Sequence, residues 1–169
     1  VVAAGPRAGL LILWCSHTGG SQALARAAAR GARGEVPAGV RLLAARRAMA
    51  ADLLAAGGYL FVTPETLGSM AGQMKDLIDR SYYPLLGRLA GRPAALIVCA
   101  GSDGAGTVRQ MGRVFAGWGL REAAPPQVVI TGAQTPHAIM ARKHIEPGPL
   151  QAASELGQAL ALGLSMGVW

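Results

Sequence analysis

A chain of 169 residues, 51% of them apolar, is long enough for one sizeable core. With 5% aromatics and 24 glycines, it suits a sheet packed by alanine-faced helices better than an aromatic-rich β-sandwich. The net charge of +7 comes from scattered arginines, with no basic run or aromatic-interleaved stripe, so solvated helix faces account for most of it and specific nucleic-acid binding is not expected. No stretch reaches the roughly 18 apolar residues of a membrane span. Nor does a basic region, apolar core and small-residue cleavage site open the chain. Val1 to Ala8 reads as a loose tail and residues 9–169 as one domain. Cys15 and Cys99 each end an apolar run and read as free buried thiols in a reducing cytoplasm.

In chain order, Leu10 to Cys15 is unbroken enough for a strand buried on both faces, and the alanine-rich sequence from Ser21 predicts a helix. Between them lies a loop of hydroxyls and glycines. Its amides and the free N–H groups of the helix start converge on one electropositive spot, which suits an anion. Ser16, Thr18 and Ser21 add hydroxyl donors, and Gly19 and Gly20 allow the backbone to close around a ligand. Ser16 to Ser21 contains no lysine or arginine, so a phosphate there is expected to be held by neutral donors. The Gly-Lys-Ser/Thr of a Walker loop and the G-x-G-x-x-G of a dinucleotide-binding turn are both missing. The arginine six residues after the cysteine of a cysteine phosphatase is replaced by Ser21. An ordinary Ser/Gly turn capping a helix remains open at this point.

Val40 to Ala45 predicts a second strand, and Arg46 to Ala56 a helix with Met49, Leu53 and Leu54 inward. Gly58 to Thr63 is a third strand that runs into Pro64. Met70, Met74, Leu77, Ile78 and Ser81 recur at helical spacing, which starts the next helix near Ser69, with Lys75–Asp79 and Asp76–Arg80 as i,i+4 pairs on its outer face. Ala94 to Ala100 is a fourth strand ending in the small polar loop Gly101 to Thr107. Val108, Met111, Phe115 and Trp118 form the inward stripe of the following helix. Gln127 to Thr131 is a fifth strand, and Leu150 to Met166 a last helix facing in through Leu150, Ala153, Gly157, Leu160 and Leu164. Strands alternating with helices argue for a parallel sheet wrapped on both faces, with its ligand outside the carboxyl ends of the strands.

Ser16-His17-Thr18-Gly19-Gly20-Ser21 resembles the loop with which flavodoxin-like proteins hold the phosphate of FMN. Thr63-Pro64-Glu65-Thr66-Leu67-Gly68-Ser69-Met70-Ala71-Gly72-Gln73-Met74-Lys75 resembles the T-P-x-x-x-G-x-M-x-G-x-x-K stretch of the flavodoxin-like NAD(P)H-dependent FMN and quinone reductases. The resemblance implies a three-layer α-β-α sandwich around a five-stranded parallel sheet of order 2-1-3-4-5. It also implies FMN, with its phosphate at Ser16, His17, Thr18, Gly19, Gly20, Ser21 and Gln22. The isoalloxazine then lies along Pro64, Glu65, Thr66, Leu67, Gly68 and Ser69, with Gly101, Ser102, Asp103 and Gly104 closing the other side. NAD(P)H is the implied co-substrate, donating hydride to the flavin, which then reduces a quinone, another flavin or a similar small acceptor. No residue is expected to act as essential acid, base or nucleophile, and FMN is expected over FAD. The two ring loops contain no aromatic residue, so Trp14, Tyr82, Tyr83 or a second subunit of a homodimer or homotetramer is expected to cover the ring.

Two other functions fit parts of the pattern. An electron-carrying flavodoxin binds the same cofactor, but such carriers are typically acidic and stack aromatics on the flavin, and this chain does neither. Ala100-Gly101-Ser102-Asp103-Gly104 approaches the nucleophile elbow of serine hydrolases, with His137 and Glu122 as the available partners. His17, His137, His144 and the two cysteines lack the spacing of a metal set.

Overall fold

The computed structural model describes residues 9–169, so the expected tail at Val1 to Ala8 lies outside the described residues. Strand β1 (Leu10–Trp14) runs through the middle of the sheet, parallel to β2 (Val40–Ala44) on one side and to β3 (Gly58–Thr66) on the other. The alternation of a strand buried on both faces sends Leu11 and Leu13 to one core layer and Leu10 and Ile12 to the other. The sheet continues from β3 to β5 (Pro93–Ala100) and then to an edge made of β6 (Arg121–Glu122) and β7 (Gln127–Ile130), both parallel to β5. Counting that edge as one strand, the order is the expected 2-1-3-4-5. The edge breaks over Ala123–Pro126, where Pro125 and Pro126 have no N–H to donate to a ladder.

Helices cover both faces. On one side α1 (Gly20–Glu35) and α6 (Pro147–Ser165) pack through small residues, with Ala25, Ala28 and Ala153 fully buried. A Cβ on Gly157 would run into the Ala28 carbonyl, and one on Gly31 into the Ser154 carbonyl, so the two backbones approach more closely than larger residues permit. On the other side lie α2 (Ala50–Ala55), α3 (Gly72–Leu85) and α4 (Ala105–Trp118). Met74, Leu77 and Ile78 of α3 and Met111, Phe115 and Trp118 of α4 enter this core, as their helical spacing predicts. The Lys75–Asp79 and Asp76–Arg80 pairs form at 2.6 and 2.9 Å on the exposed face of α3.

The largest local departure from expectation falls at Ser69. The third strand runs on to Thr66 and folds back through β4 (Ser69–Met70), with Thr66 opposite Ser69 and Glu65 opposite Met70. The two-residue turn Leu67–Gly68 has φ of 52° and 70°, the pattern of a type I′ hairpin, and the helix begins only at Gly72. Met70 is therefore buried from a strand, although its spacing also matches the helix. Met49, expected inward, is 60% exposed, because α2 starts at Ala50 with Met49 as its cap and the Asp52 carboxylate accepting the Met49 amide. A five-residue helix α5 (Pro136–Met140), unforeseen in the sequence, follows β7, and α6 begins at Pro147, three residues before Leu150. Among the described residues no helix is long and apolar enough to cross a membrane.

Candidate functional site

The carboxyl ends of β1, β3, β5 and β7 open into a cavity of about 530 Å³. Three of its walls are the loops singled out in the sequence. Ser16, His17, Thr18, Gly20 and Ser21 line it from the first loop, Pro64, Glu65, Thr66, Leu67 and Gly68 from the hairpin, and Gly101 and Ser102 from the loop after β5. Gly19, Gln22, Ser69, Asp103 and Gly104 do not line it. Ser69 is turned aside, its hydroxyl donating to Gln110 Oε1 at 3.0 Å, and Gly104 is buried behind the loop.

The first loop is shaped to receive an anion. Ser16 Oγ accepts the Gly19 amide at 3.0 Å, and Gly19, at φ 93°, caps α1 in a left-handed conformation that favours glycine. No side chain caps this helix and no acidic residue sits in its first turn. Helix geometry leaves the amides of Gly20, Ser21 and Gln22 without intrahelical acceptors. Ser21 is 1% exposed, and its hydroxyl lies against the Cys99 thiol with no oxygen or nitrogen partner. A buried hydroxyl beside three free amides fits the phosphate of FMN. Gly20 lines the cavity as expected of the loop, and it meets a second demand: a Cβ there would stand 2.8 Å from Cys99 Sγ, so its smallness also makes room for the neighbouring strand end. Burial pushes both thiols up, Cys99 beside Ser21 and Cys15 beside Thr63, which favours inert neutral sulfur in both places.

The N-terminus of α4 faces the same region but is already occupied. Glu65 reaches from the hairpin to accept the amides of Gly104 at 2.9 Å and Thr107 at 3.0 Å. Gly106 lets the helix start approach the turn, since a Cβ there would collide with the Gly68 carbonyl. Glu65 thus staples two cavity walls together and removes α4 as a second anion site. Partial burial works against the Glu65 charge, but the Thr107 and Gly104 amides outweigh it and hold the carboxyl below its usual range. Near and below the ordinary carboxylate range the unfolded chain then binds more protons, so this stabilisation is fully present above that range and is lost as pH falls from it through the lower pKa of the folded state. Glu65→Gln is expected to lower stability by about 1–2 kcal/mol at neutral pH, the scale of a lost helix cap. In urea melts the gap to the parent should close as the pH is lowered below roughly 4. A gap that persists in acid would show that the side chain acts through packing alone.

The remaining wall was not legible in the sequence. Cys99 and Ala100 complete it from β5, Thr131 and Ala133 from the end of β7, and Ile139, Met140 and Lys143 from α5 and the residues after it. The Lys143 amide donates to the Thr18 carbonyl at 2.7 Å, which ties this segment to the first loop. Only the fold brings these residues to positions 16–21. None of Trp14, Tyr82 and Tyr83 lines the cavity, and Tyr82 instead stacks on Trp118 at 6.1 Å. The lip is aliphatic, with Leu67 fully exposed, Met140 78% and Ile139 52%. The hydrolase partners do not assemble. Glu122 pairs with Ala94 near the start of β5, whereas Ser102 lies beyond its other end, and no hydrogen bond joins Ser102, His137 and Glu122 among the described residues. No cluster of metal-ligating side chains occurs among the described residues.

Similar architectures recur among solved structures. An archaeal flavodoxin superposes with a TM-score of 0.73 at 14% identity, covering 93% of this chain and 99% of its own. A flavodoxin, WrbA-like protein from Agrobacterium tumefaciens gives 0.65 at 20% identity, covering 94% and 98%. A flavodiiron core from Synechocystis gives 0.68 at 17% identity, where 96% of this chain matches 37% of the larger one. At these identities the likeness is one of fold. No curated protein sequence matches the chain. The family model of NADPH-dependent FMN reductase matches residues 33–135, more than half of the chain, including the hairpin and the loop after β5. With that match laid over a flavodoxin-like sheet and a cavity at its switch point, the chain belongs to the NADPH-dependent FMN reductase family.

Proposed function

We propose that this protein is an FMN-containing oxidoreductase that takes hydride from NAD(P)H and reduces a small acceptor such as a quinone or a second flavin. The observation that carries the reading is the uncapped start of α1, with the buried Ser21 hydroxyl, in the wall of a cavity at the sheet's switch point. When bound there, FMN supplies the two-electron chemistry. The chain holds and orients: Ser16, Thr18, Ser21 and the first amides of α1 take the phosphate, and the Pro64–Gly68 hairpin and Gly101–Ser102 form the two sides of the ring slot. The staple from Glu65 to α4 keeps those sides at a fixed separation. The aliphatic lip leaves the cavity open for donor and acceptor to enter in turn. Residues 9–169 form a single domain in this reading, acting in the cytoplasm. A homodimer or homotetramer is supported by the exposed Tyr83 and Leu86 at the end of α3.

The purified protein is expected to show flavin absorbance that bleaches on rapid mixing with NADPH or NADH. Ser102→Ala should keep substantial turnover, because Ser102 is assigned a positioning role. Absence of flavin binding, together with esterase activity abolished by Ser102→Ala, would replace this reading with a hydrolase.

A further inference from the structure

The phosphate loop has no cation of its own, yet the fold places two beside it. Lys143 lines the cavity, and its amide is bonded to the Thr18 carbonyl. Its ammonium is fully engaged elsewhere. The carbonyls of Ala138, Ile139 and Ala141 accept from Nζ at 2.8, 2.8 and 2.7 Å, which uses all three donors. Lys143 therefore closes the end of α5 and pins that segment to the loop. The residue before it is free to act. Arg142 makes no hydrogen bond or ion pair among the described residues, and a Cβ built on Gly19 would stand 3.8 Å from Arg142 Cγ. Gly19 is the cap of α1, so the stem of an unpaired arginine lies against the residue that opens the anion site.

We infer that Arg142 is the cationic element of the flavin phosphate site, delivered from beyond β7 and held in register by the Lys143 clamp. The inference rests on the functional reading above, because it assigns the anion to the phosphate of FMN. Arg142 is not itself a lining residue of the cavity, so its guanidinium meets the phosphate by reaching past Gly19. Neutral amides and hydroxyls fix the position of a phosphate, whereas a guanidinium brought to it favours its dianionic state and adds salt-sensitive attraction. Because Arg142 is exposed, its contribution is smaller than that of a buried charge-assisted bond. Discrimination between FMN and riboflavin should therefore depend on a residue far from the phosphate motif in sequence.

The test is fluorescence titration of the flavin-free full chain with FMN and with riboflavin, at low and at high sodium chloride. Arg142→Gln is expected to weaken FMN about fivefold at low salt, leave riboflavin unchanged, and flatten the salt dependence. Arg142→Lys should retain that dependence. Unchanged FMN affinity in Arg142→Gln would overturn the inference, as would an equal loss for riboflavin, which would mean that Arg142 shapes the loop rather than meeting the phosphate. A loss confined to NADPH binding would also overturn it. Failure of the parent protein to bind either flavin would overturn the functional reading itself, a result distinct from these three.

Discussion

Arg92→Met is expected to lower the unfolding free energy by about 3–5 kcal/mol, the cost of removing a buried charge whose partners stay behind. Arg92 is 5% exposed. Its Nη1 is surrounded by the carbonyl oxygens of Leu53, Leu54 and Ala56 at 2.8, 3.1 and 2.7 Å and by the Tyr59 hydroxyl oxygen at 2.7 Å, and Nη2 donates to the Arg88 carbonyl at 3.2 Å. No carboxylate pairs it among the described residues. The carbonyls at the end of α2 supply the negative potential instead, as helix C-termini do. Methionine matches the stem in length but brings no donor, so the Ala56 and Leu54 carbonyls lose the guanidinium while the Leu53 carbonyl keeps only the Tyr59 hydroxyl and the Ala56 amide. Against a total stability of about 5–15 kcal/mol this is a large fraction. Arg92→Lys, with a single charged nitrogen, should recover about half of the loss. Equilibrium urea unfolding measures both, and a change below about 1 kcal/mol for Arg92→Met would show that water replaces the guanidinium.

The second large effect concerns the cofactor site. Ser16→Ala combined with Thr18→Ala is expected to weaken FMN binding by roughly a hundredfold or more, since each lost hydroxyl leaves a phosphate oxygen without a charge-assisted bond worth about 1.5–3 kcal/mol. Ser16 carries a further burden, because its Oγ also accepts the Gly19 amide and so sets the left-handed turn that opens α1. Riboflavin, which has no phosphate, should lose little. Fluorescence titration with both flavins separates the outcomes. Equal weakening of FMN and riboflavin would point to a collapsed loop, and unchanged FMN affinity would remove the phosphate from this site. In either case α1 would remain folded, because the buried alanines that pack it against α6 lie further along the helix.

The sheet was legible because its signals are local. Leu10 to Cys15, Gly58 to Thr63 and Ala94 to Ala100 are apolar runs with no competing period, and the small polar loops that follow can only sit at strand ends. The helical stripes of α3 and α4 were legible for the same reason. The start of α3 was misplaced because Met70 satisfies the period of both the helix and the hairpin. The choice fell to Leu67–Gly68, whose left-handed turn lets Glu65 and Thr66 pair with Met70 and Ser69. Leucine is a poor marker for that turn, so no local signal announced it.

What the sequence determined by itself was the parallel α/β architecture, the three loops at its carboxyl edge and the hydroxyl-glycine character of the first of them. Each depends on residues adjacent in the chain. The tertiary structure alone decided how charge is distributed around those loops. Arg92, one of many arginines in composition, became a buried strut only because the end of α2 turned its carbonyls toward the start of β5. Glu65 became a staple because the hairpin brought it to the N-terminus of α4, leaving α1 as the open helix start of the two. Lys143 and Arg142 reached a loop more than a hundred residues earlier through the edge strand before them and a hydrogen bond from the Lys143 amide to the Thr18 carbonyl. Period and composition report what a residue does to its neighbours in the chain. The fate of a charge depends on which oxygens stand within 3 Å of it, and that is set by the packing of segments distant in sequence.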